Sequence, residues 1–215
     1  MKRIVKRSVG VLLILLIVLS TLTGCFNGSG RKYFSGDSYI AGEFSHNIYS
    51  KVESDKNVFN KNNVTLDFYY CLYSLEGNLT LESQKKYNSY TEDGYNIENN
   101  FAVYISDIEE IVFEQDDKNI IDYENRVNAK LWRFISFEEA FSTDYGYTTD
   151  GMKINYHHWE TITIPSELFT QSSGSIFIHI VCIRHDVKNN TFRLGDYRTN
   201  IEIKYRLVGN DIKLS

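Results

Sequence analysis

Two adjacent histidines, His157 and His158, precede Trp159 and are the most obvious place to look for a metal site. Alternation predicts a strand at this point, and neighbours in a strand point to opposite faces, so the two rings cannot share one ion. His179 and His185 do share a face. However, six residues at about 3.3 Å each place them roughly 20 Å apart, against metal–nitrogen bonds of about 2 Å. The sequence therefore predicts no metal site, and surface or hydrogen-bonded histidines instead.

Acidic side chains are the next candidates for chemistry. Glu138, Glu139 and Glu160 could be the paired carboxylates of a glycosidase, but that chemistry depends on a separation in space that the sequence does not give. Two groups of aspartates could bind calcium: Asp116, Asp117 and Asp122, then Asp144 and Asp150 beside Gly151. Neither group matches a calcium loop, so solvated turns are the simpler interpretation. Because a serine elbow and a glycine-rich phosphate loop are also missing from the sequence, we do not predict an enzyme.

Cys25 is the residue whose setting points most specifically to a reaction. It follows Leu22, Thr23 and Gly24, which close a leading segment with four basic residues among its first seven and an apolar run from Val11 to Leu19. This order of charge, apolar core and small residues is that of a secretory signal. The apolar run is too short to span ~30 Å of hydrocarbon, which needs about 20 apolar residues.

The four residues Leu22, Thr23, Gly24 and Cys25 resemble the lipobox of bacterial lipoproteins, in which an apolar residue and two small ones precede a cysteine. The resemblance covers only the leading segment. It implies cleavage before Cys25, a covalent diacylglycerol on the Cys25 thiol, and anchoring on the extracytoplasmic face of the cell membrane. We expect no cofactor besides this lipid. Two acyl chains give lasting attachment, whereas one chain binds a bilayer only marginally. The alternatives are an ordinary signal peptide, or an uncleaved anchor, with an accidental cysteine.

The charge of the chain limits its partners. Four of the 23 Lys and Arg residues, and none of the 28 Asp and Glu residues, lie in the first 24 positions, so the remainder has a net charge near −9. A negative surface is repelled by phosphate backbones and anionic headgroups, so nucleic acid is not an expected partner. Contact with the membrane would come from the lipid.

Cys71 and Cys182 form an even pair, which an exported chain could join in one disulfide. Alternation places Cys71 on the more polar face of its strand with Asp67 and Tyr69, whereas Cys182 shares a core face with Ile180. A bridge would need both side chains turned into one space within a few ångströms. Two unpaired thiols are therefore the preferred interpretation, and the disulfide is the alternative.

A mainly β protein is predicted by the 16 Tyr and 13 Phe residues, by abundant Ile, Val and Thr, and by a single Pro. Two stretches could be helical: residues 106–114, where Ile108, Ile111 and Val112 fit a helical stripe or an irregular strand, and residues 137–141, which could form a short turn. The predicted strands are residues 64–75, 101–105, 130–136, 152–164, 175–184, 201–208 and 211–214, with 39–44 as a weaker candidate.

Two segments indicate how these strands assemble. Residues 175–184 are apolar on both faces, which is typical of a central strand, and Gly209 and Asn210 between alternating runs predict a tight hairpin. We therefore expect an antiparallel two-sheet β-sandwich with one or two short helical turns. Residues 165–169 and the strand after them are similar to the late corner of immunoglobulin-like sandwiches, which is an analogy of fold alone. The predicted organisation is a signal peptide (1–24), a lipidated flexible tether (25–37) and one domain (38–215).

Tyr145, Tyr147, Tyr156 and Trp159 lie around glycine-containing loops and are a candidate recognition surface, because Tyr and Trp offer rigid contact area with a polar group. Half-burial on an ordinary sheet is the alternative for these aromatic residues. The leading hypothesis is a membrane-tethered domain that binds an envelope or host protein. A module for small ligands or carbohydrates is the second hypothesis, and an envelope enzyme is the third.

Overall fold

The computed structural model describes residues 34–40, 47–74, 89–92, 95–116, 120–136, 139, 145–147 and 153–215, and Tyr33–Ser215 forms one compact unit. Within this part of the chain, none of the helices is long and apolar enough to cross a membrane. The strands are β1 (Phe34–Ile40), β2 (Asn47–Ser54), β3 (Val58–Asn60), β4 (Val64–Ser74), β5 (Ser89–Glu92), β6 (Tyr95–Ser106), β7 (Lys130–Ile135), β8 (Tyr145–Tyr147), β9 (Lys153–Ile164), β10 (Ser173–Asp186), β11 (Thr191–Val208) and β12 (Asp211–Leu214).

The strands form two antiparallel sheets that pack against each other. The five-stranded sheet has the order β1-β2-β4-β9-β8. The seven-stranded sheet has the order β3-β12-β11-β10-β6-β5, and β7 also pairs with β6. The predicted all-β, two-sheet sandwich is confirmed.

The main core lies between the two sheets. Phe68 and Ile162 come from the five-stranded sheet, Phe101 and Ile178 come from the seven-stranded sheet, and all four side chains are at most 1% exposed. Removing such a side chain from water stabilises a fold by about 1.5–3 kcal/mol. Alternation along each strand is what supplies one continuous apolar face per sheet.

Strand β10 lies inside the seven-stranded sheet, between β6 and β11, as its apolar pattern predicts. Ile178 and Ile180 face the main core, while Val181 and Ile183 belong to a second buried cluster on the outer face of the sheet. Both faces of β10 are therefore covered, which is why its sequence carries few polar residues.

The C-terminal hairpin is also confirmed. Val208 pairs with Asp211, so Gly209 and Asn210 form a two-residue loop between β11 and β12. Gly209 has a φ of 65°, which glycine adopts without the steric cost that a Cβ would bring. A positive φ at the first of the two loop residues is the pattern of a type II′ turn, whose twist matches that of the flanking strands.

The corner at Pro165 carries the chain from one sheet to the other. A 3-10 turn, Ser166–Leu168, follows Pro165 and links β9 to β10. Phe169 then enters the core at 1% exposure and packs edge-on against Tyr205, with ring centroids 5.0 Å apart. The structure shows a two-sheet sandwich, and a specifically immunoglobulin-like arrangement stays a prediction.

Two expectations about boundaries and local structure differ from the observed fold, and a third is tested at one residue only. Strand β1 begins at Phe34, whose side chain is buried, so the sandwich starts inside the stretch predicted as tether up to residue 37. Residues 107–110 form bends and residues 111–112 have no regular structure, so there is no helix here, and Ile108 and Val112 are exposed. Of the predicted turn at 137–141, only Glu139 is described. It exchanges hydrogen bonds with Ser136 in a capping box, the signature of a helix start.

Residues 107–116 and 120–129, here called the covering segment, lie over the outer face of the seven-stranded sheet. Two isolated bridges, Phe113 with Val127 and Gln115 with Ile121, give the segment its own local structure. Ile121 N also donates to Phe192 O of β11 at 2.9 Å. The covering segment closes the second buried cluster, which contains Ala102, Tyr104, Ile111, Ile121, Val181 and Ile183.

Candidate functional site

An open depression of about 500 Å³ lies where the covering segment meets the seven-stranded sheet. Its size falls in the range of small-ligand sites, about 300–1,000 Å³. The covering segment supplies two carboxylates and one apolar side chain, and β10 and β11 supply the rest of the lining. The lining residues are Glu109, Glu110, Ile111, His179, Val181, Arg198, Thr199 and Asn200.

His179 is the most deeply buried polar group of this depression, at 4% exposure. Its Nε2 lies 2.8 Å from Ser106 Oγ and 3.1 Å from Ile108 O. Because a carbonyl oxygen can only accept, the contact with Ile108 O requires a proton on Nε2. Ser106 Oγ donates to the same carbonyl at 2.8 Å. The neutral imidazole therefore carries its proton on Nε2, and Nδ1 has no proton.

The pKa of His179 is lowered to about 4, first because burial disfavours the charged ring. The hydrogen bond to Ile108 O acts in the opposite direction, and the positive charge of Arg198 lowers the pKa further. His179 is therefore neutral at physiological pH and can serve as a hydrogen-bond donor to the covering segment.

Three side chains from β10 and β11 together hold backbone carbonyls of the covering segment. His179 binds Ile108 O, Asn200 Nδ2 donates to Glu109 O at 3.2 Å, and Arg198 Nη1 donates to Ile111 O at 3.5 Å. Arg198 Nη2 also lies 3.4 Å from Glu110 Oε1 in an exposed ion pair. The hydrogen-bond donors of His179, Arg198 and Asn200 in the depression are thus already bonded to the covering segment.

A second polar cluster joins the two sheets at the edge of the sandwich. Arg133 Nη1 donates to Glu160 Oε2 at 2.7 Å, and Nη2 donates to Glu139 Oε1 at 2.8 Å. A register shift in the β6–β7 pairing lets both Trp132 and Arg133 contact side chains of the five-stranded sheet, since Trp132 packs edge-on against Phe68.

Two of the three glutamates considered as glycosidase carboxylates thus bind one guanidinium, and Glu138 lies outside the described residues. Burial raises the pKa of Glu139, but hydrogen bonds from Ser136 and Arg133 outweigh it and hold that pKa below its ordinary value. A glycosidase acid needs the opposite shift, so this geometry favours a structural role for the pair.

Replacing Arg133 by methionine is expected to lower the free energy of unfolding by about 1–2 kcal/mol, because two charge-assisted bonds are lost from a half-buried position. Lys130→Met is the matched control, since the Lys130–Glu167 pair is 3.5 Å long and both side chains are more than 60% exposed. That change should cost less than about 0.5 kcal/mol. Urea unfolding measures both values.

The Arg133→Met deficit should also depend on pH. The folded state lowers the pKa of Glu139, so its contribution is present above the ordinary value of 4.5 and is lost as the pH falls. A deficit equal to that of Lys130→Met, or one that does not shrink in acid, would contradict the bridging role.

The described aspartates among the candidate calcium ligands accept hydrogen bonds from nearby backbone amides. Asp116 Oδ1 accepts from Ile120 N at 2.7 Å, and Asp122 Oδ1 accepts from the backbone of Glu124 and Asn125. The side-chain bond from Asn125 lowers the pKa of Asp122. Within the described ranges, no group of three or more His, Cys, Asp or Glu could hold a metal ion. Asp117, Asp144, Asp150 and Gly151 lie outside those ranges.

The predicted recognition residues fall on neighbouring strands at one edge of the five-stranded sheet. Tyr145 and Tyr147 are in β8, where Tyr145 pairs with Asn155 of β9, next to Tyr156. Trp159 is further along β9 and pairs with Tyr69 of β4. Tyr145 and Tyr147 thus lie opposite Asn155 and Lys153, whereas Tyr156 is at the alternate position of β9, and the side chains of all three tyrosines lie outside what the structure describes.

Of the two cysteines that could form a disulfide, the structure describes the side chain of Cys182 and not that of Cys71. Cys182 is 3% exposed and lies in the main core, as its alternation predicts. Cys71 is in β4, but its side chain is not among those described, so the pairing of the two cysteines stays a prediction. Leu22, Thr23, Gly24 and Cys25 lie outside the described residues.

An aromatic cluster that the sequence did not single out lies on the outer face of the seven-stranded sheet. Tyr123 of the covering segment stacks on Phe134 at 4.7 Å and meets Phe192 edge-on at 5.0 Å. The His185 ring stacks on Phe192 at 4.6 Å. Such ring pairs add about 0.5–1.5 kcal/mol each beyond area burial, so this cluster holds the covering segment in place.

Comparison of the sequence with models of known protein families and with curated proteins finds no match.

Proposed function

We propose that this protein is a lipoprotein anchored through Cys25 on the extracytoplasmic face of the cell membrane, where its sandwich binds a protein partner of the envelope or of a host. The observation that carries the proposal is the run Leu22, Thr23, Gly24 and Cys25, placed directly after a basic and then an apolar stretch. Diacylglycerol on Cys25 would give lasting attachment to the bilayer.

The position of β1 supports a function close to the membrane. Phe34, the first residue of β1, follows Cys25 by nine positions, which as a flexible chain corresponds to about 15–18 Å. A domain on so short a tether can turn but cannot leave the surface. Its partner must therefore reach the same membrane or lie within the adjoining envelope.

Two features favour a protein partner over a small ligand. The donors of the depression beside His179 are already bonded to Ile108 O, Glu109 O and Ile111 O, so a ligand would have to compete with the fold. At the β8–β9 edge, by contrast, Tyr145 and Tyr147 occupy alternate positions of the edge strand β8. Aromatic residues of this kind are enriched at the centre of protein interfaces.

Photo-crosslinking in the native host tests the proposal. A photoreactive amino acid at position 145 or 147 is expected to yield a discrete crosslinked protein. Val58 and Val208 are the control positions, because they are 49% and 57% exposed and lie elsewhere, on the seven-stranded sheet and at its C-terminal hairpin. Identical products at all four positions, or no product from 145 and 147, would count against a partner at the β8–β9 edge.

A further inference from the structure

The attachment of the covering segment to the sheet depends on a histidine in an unusual setting. His179 lies in the central strand β10, is almost fully buried, and binds Ser106 Oγ and Ile108 O through Nε2. Ser106 ends β6 and Ile108 is two residues further on, so this contact fixes the point where the chain leaves the sheet. Asn200 and Arg198 hold the next two contacts along the segment.

The surroundings of His179 offer little compensation for a positive charge on its ring. Arg198 of β11 lines the same depression and already carries one positive charge. The carboxylate of Glu110, from the covering segment, is paired with Arg198, and Glu109 and Asp107 are exposed to solvent. Across the sheet, the register neighbours of His179 are Tyr104 of β6 and Asn200 of β11, which are neutral at neutral and acidic pH.

We propose that His179 is an acid-sensitive latch: protonation of its ring releases residues 107–112 from the seven-stranded sheet while the sandwich stays folded. The protonated ring needs hydration that the closed site denies it, and it gains that hydration when the stretch lifts. Opening would remove Ile111 from the second buried cluster and uncover part of the outer face around Val181. The latch is independent of the identity of any partner.

The direction and size of the effect follow from proton binding. The ring titrates at about 4 in the closed state, against an ordinary value of 6.5 in an open, hydrated one. Between these values the open state binds more protons than the closed state, so opening becomes more favourable as the pH falls. The full effect is at most about 300-fold, and about 50-fold is expected between pH 7 and pH 4.5.

Hydrogen exchange of the purified full-length mature protein tests the latch. Amides of residues 107–112 that are bonded in the closed state report its opening, namely Ile108 N on Ser106 Oγ and Val112 N on Asn128 Oδ1. After correction for intrinsic rates, their opening should increase about 50-fold from pH 7 to pH 4.5. Amides of β10 report the sandwich and should not change.

The variants His179→Gln and His185→Phe separate the latch from general acid effects. Glutamine at 179 keeps an N–H donor but cannot take up a proton, so the acid response should disappear. His185→Phe removes an imidazole from the same strand but keeps an aromatic ring against Phe192, so the response should stay intact. An unchanged response in His179→Gln, or equal opening of β10 and the covering segment, would overturn the proposal.

A measurement on the unaltered protein guards against a His179→Gln chain that fails to fold. Nitrogen NMR of the imidazole ring should show His179 neutral, with its proton on Nε2, at pH 6 and still mostly neutral at pH 5. A cationic ring at pH 6, or a neutral ring with its proton on Nδ1, would overturn the latch.

Discussion

A chain in which Cys25 is replaced by alanine is expected to lose its lipid anchor completely. Without the thiol there is no atom to carry diacylglycerol, and the acidic domain has no electrostatic affinity for anionic headgroups. Fractionation of host cells should move the protein from the membrane pellet to the soluble fraction, or leave an uncleaved precursor with its first 24 residues still present.

Cys71→Ala is the matched control for this experiment. It also removes one thiol, but it leaves Leu22, Thr23, Gly24 and Cys25 intact. The control protein should stay in the membrane fraction and be processed normally. If Cys25→Ala and the unaltered chain distribute in the same way and have the same mature mass, the lipobox interpretation is wrong.

Replacing Gly195 by alanine is expected to destabilise the fold by about 3 kcal/mol or more, which is a large share of the total stability of a domain this size. A Cβ at this position would lie 2.7 Å from Cys182 Sγ, 2.9 Å from Cys182 Cβ and 3.0 Å from Cys182 O. Rotation of the Cys182 side chain can relieve the first contact but not the other two. Urea unfolding measures the loss.

The close approach results from a bulge between β10 and β11. Val181 pairs with Arg198 and Ile183 pairs with Leu194, so the three residues from Gly195 to 197 oppose Cys182 alone. The extra residues bring the β11 backbone against Cys182, and only glycine leaves room for it.

Gly209→Ala is the control, because a Cβ there would meet nothing within 4 Å and the change tests backbone strain alone. Its cost should be about 1–2 kcal/mol from the positive φ. In the Gly195→Ala background, Cys182→Ala should recover part of the loss by removing Sγ. Equal costs for the two glycines, or no coupling with Cys182, would contradict the packing of the bulge.

Strands whose alternation is regular were predictable from sequence. In β11, Ile201, Ile203 and Tyr205 face the core, and the charged residues between them are exposed, as the period of two predicts. Strand β10 was predictable because a strand buried on both faces has a continuous apolar sequence. The loop at Gly209 was predictable because few residues adopt a positive φ.

Strand segments that lack an alternating apolar pattern were missed. In β2, Ser50 and Ser54 share the core-facing side of the strand with Val52, and both serines are buried. Polar residues therefore stand where an alternating pattern would have apolar ones. The first half of β11 was missed because the bulge at Gly195 breaks the alternation. Such strands are recognised only from the partners they pair with.

The covering segment shows why the spacing of apolar residues wrongly suggested a helix at residues 106–114. Ile108, Ile111 and Val112 fit a helical stripe, yet only Ile111 is buried. The segment is held by side chains that lie 71 to 91 positions away in the chain, including His179 and Asn200. A local pattern carries no information about such distant donors.

The sequence indicated which kinds of residue form the candidate sites, but not which residues they contact. His179 was interpreted as a surface or hydrogen-bonded histidine, and the structure places it in a buried hydrogen-bonded network. Its position in an apolar strand was a signal that its ring would be buried. The bridge from Arg133 to Glu139 and Glu160 needed the packing of two sheets, which no spacing in the sequence encodes.

Intact mass spectrometry of the protein from its native host tests the central claim most directly. We predict a chain that begins at Cys25 and carries diacylglycerol on that residue. A mass that retains residues 1–24, or a mature chain that starts at another residue or has an unmodified Cys25, would contradict the anchored-domain account.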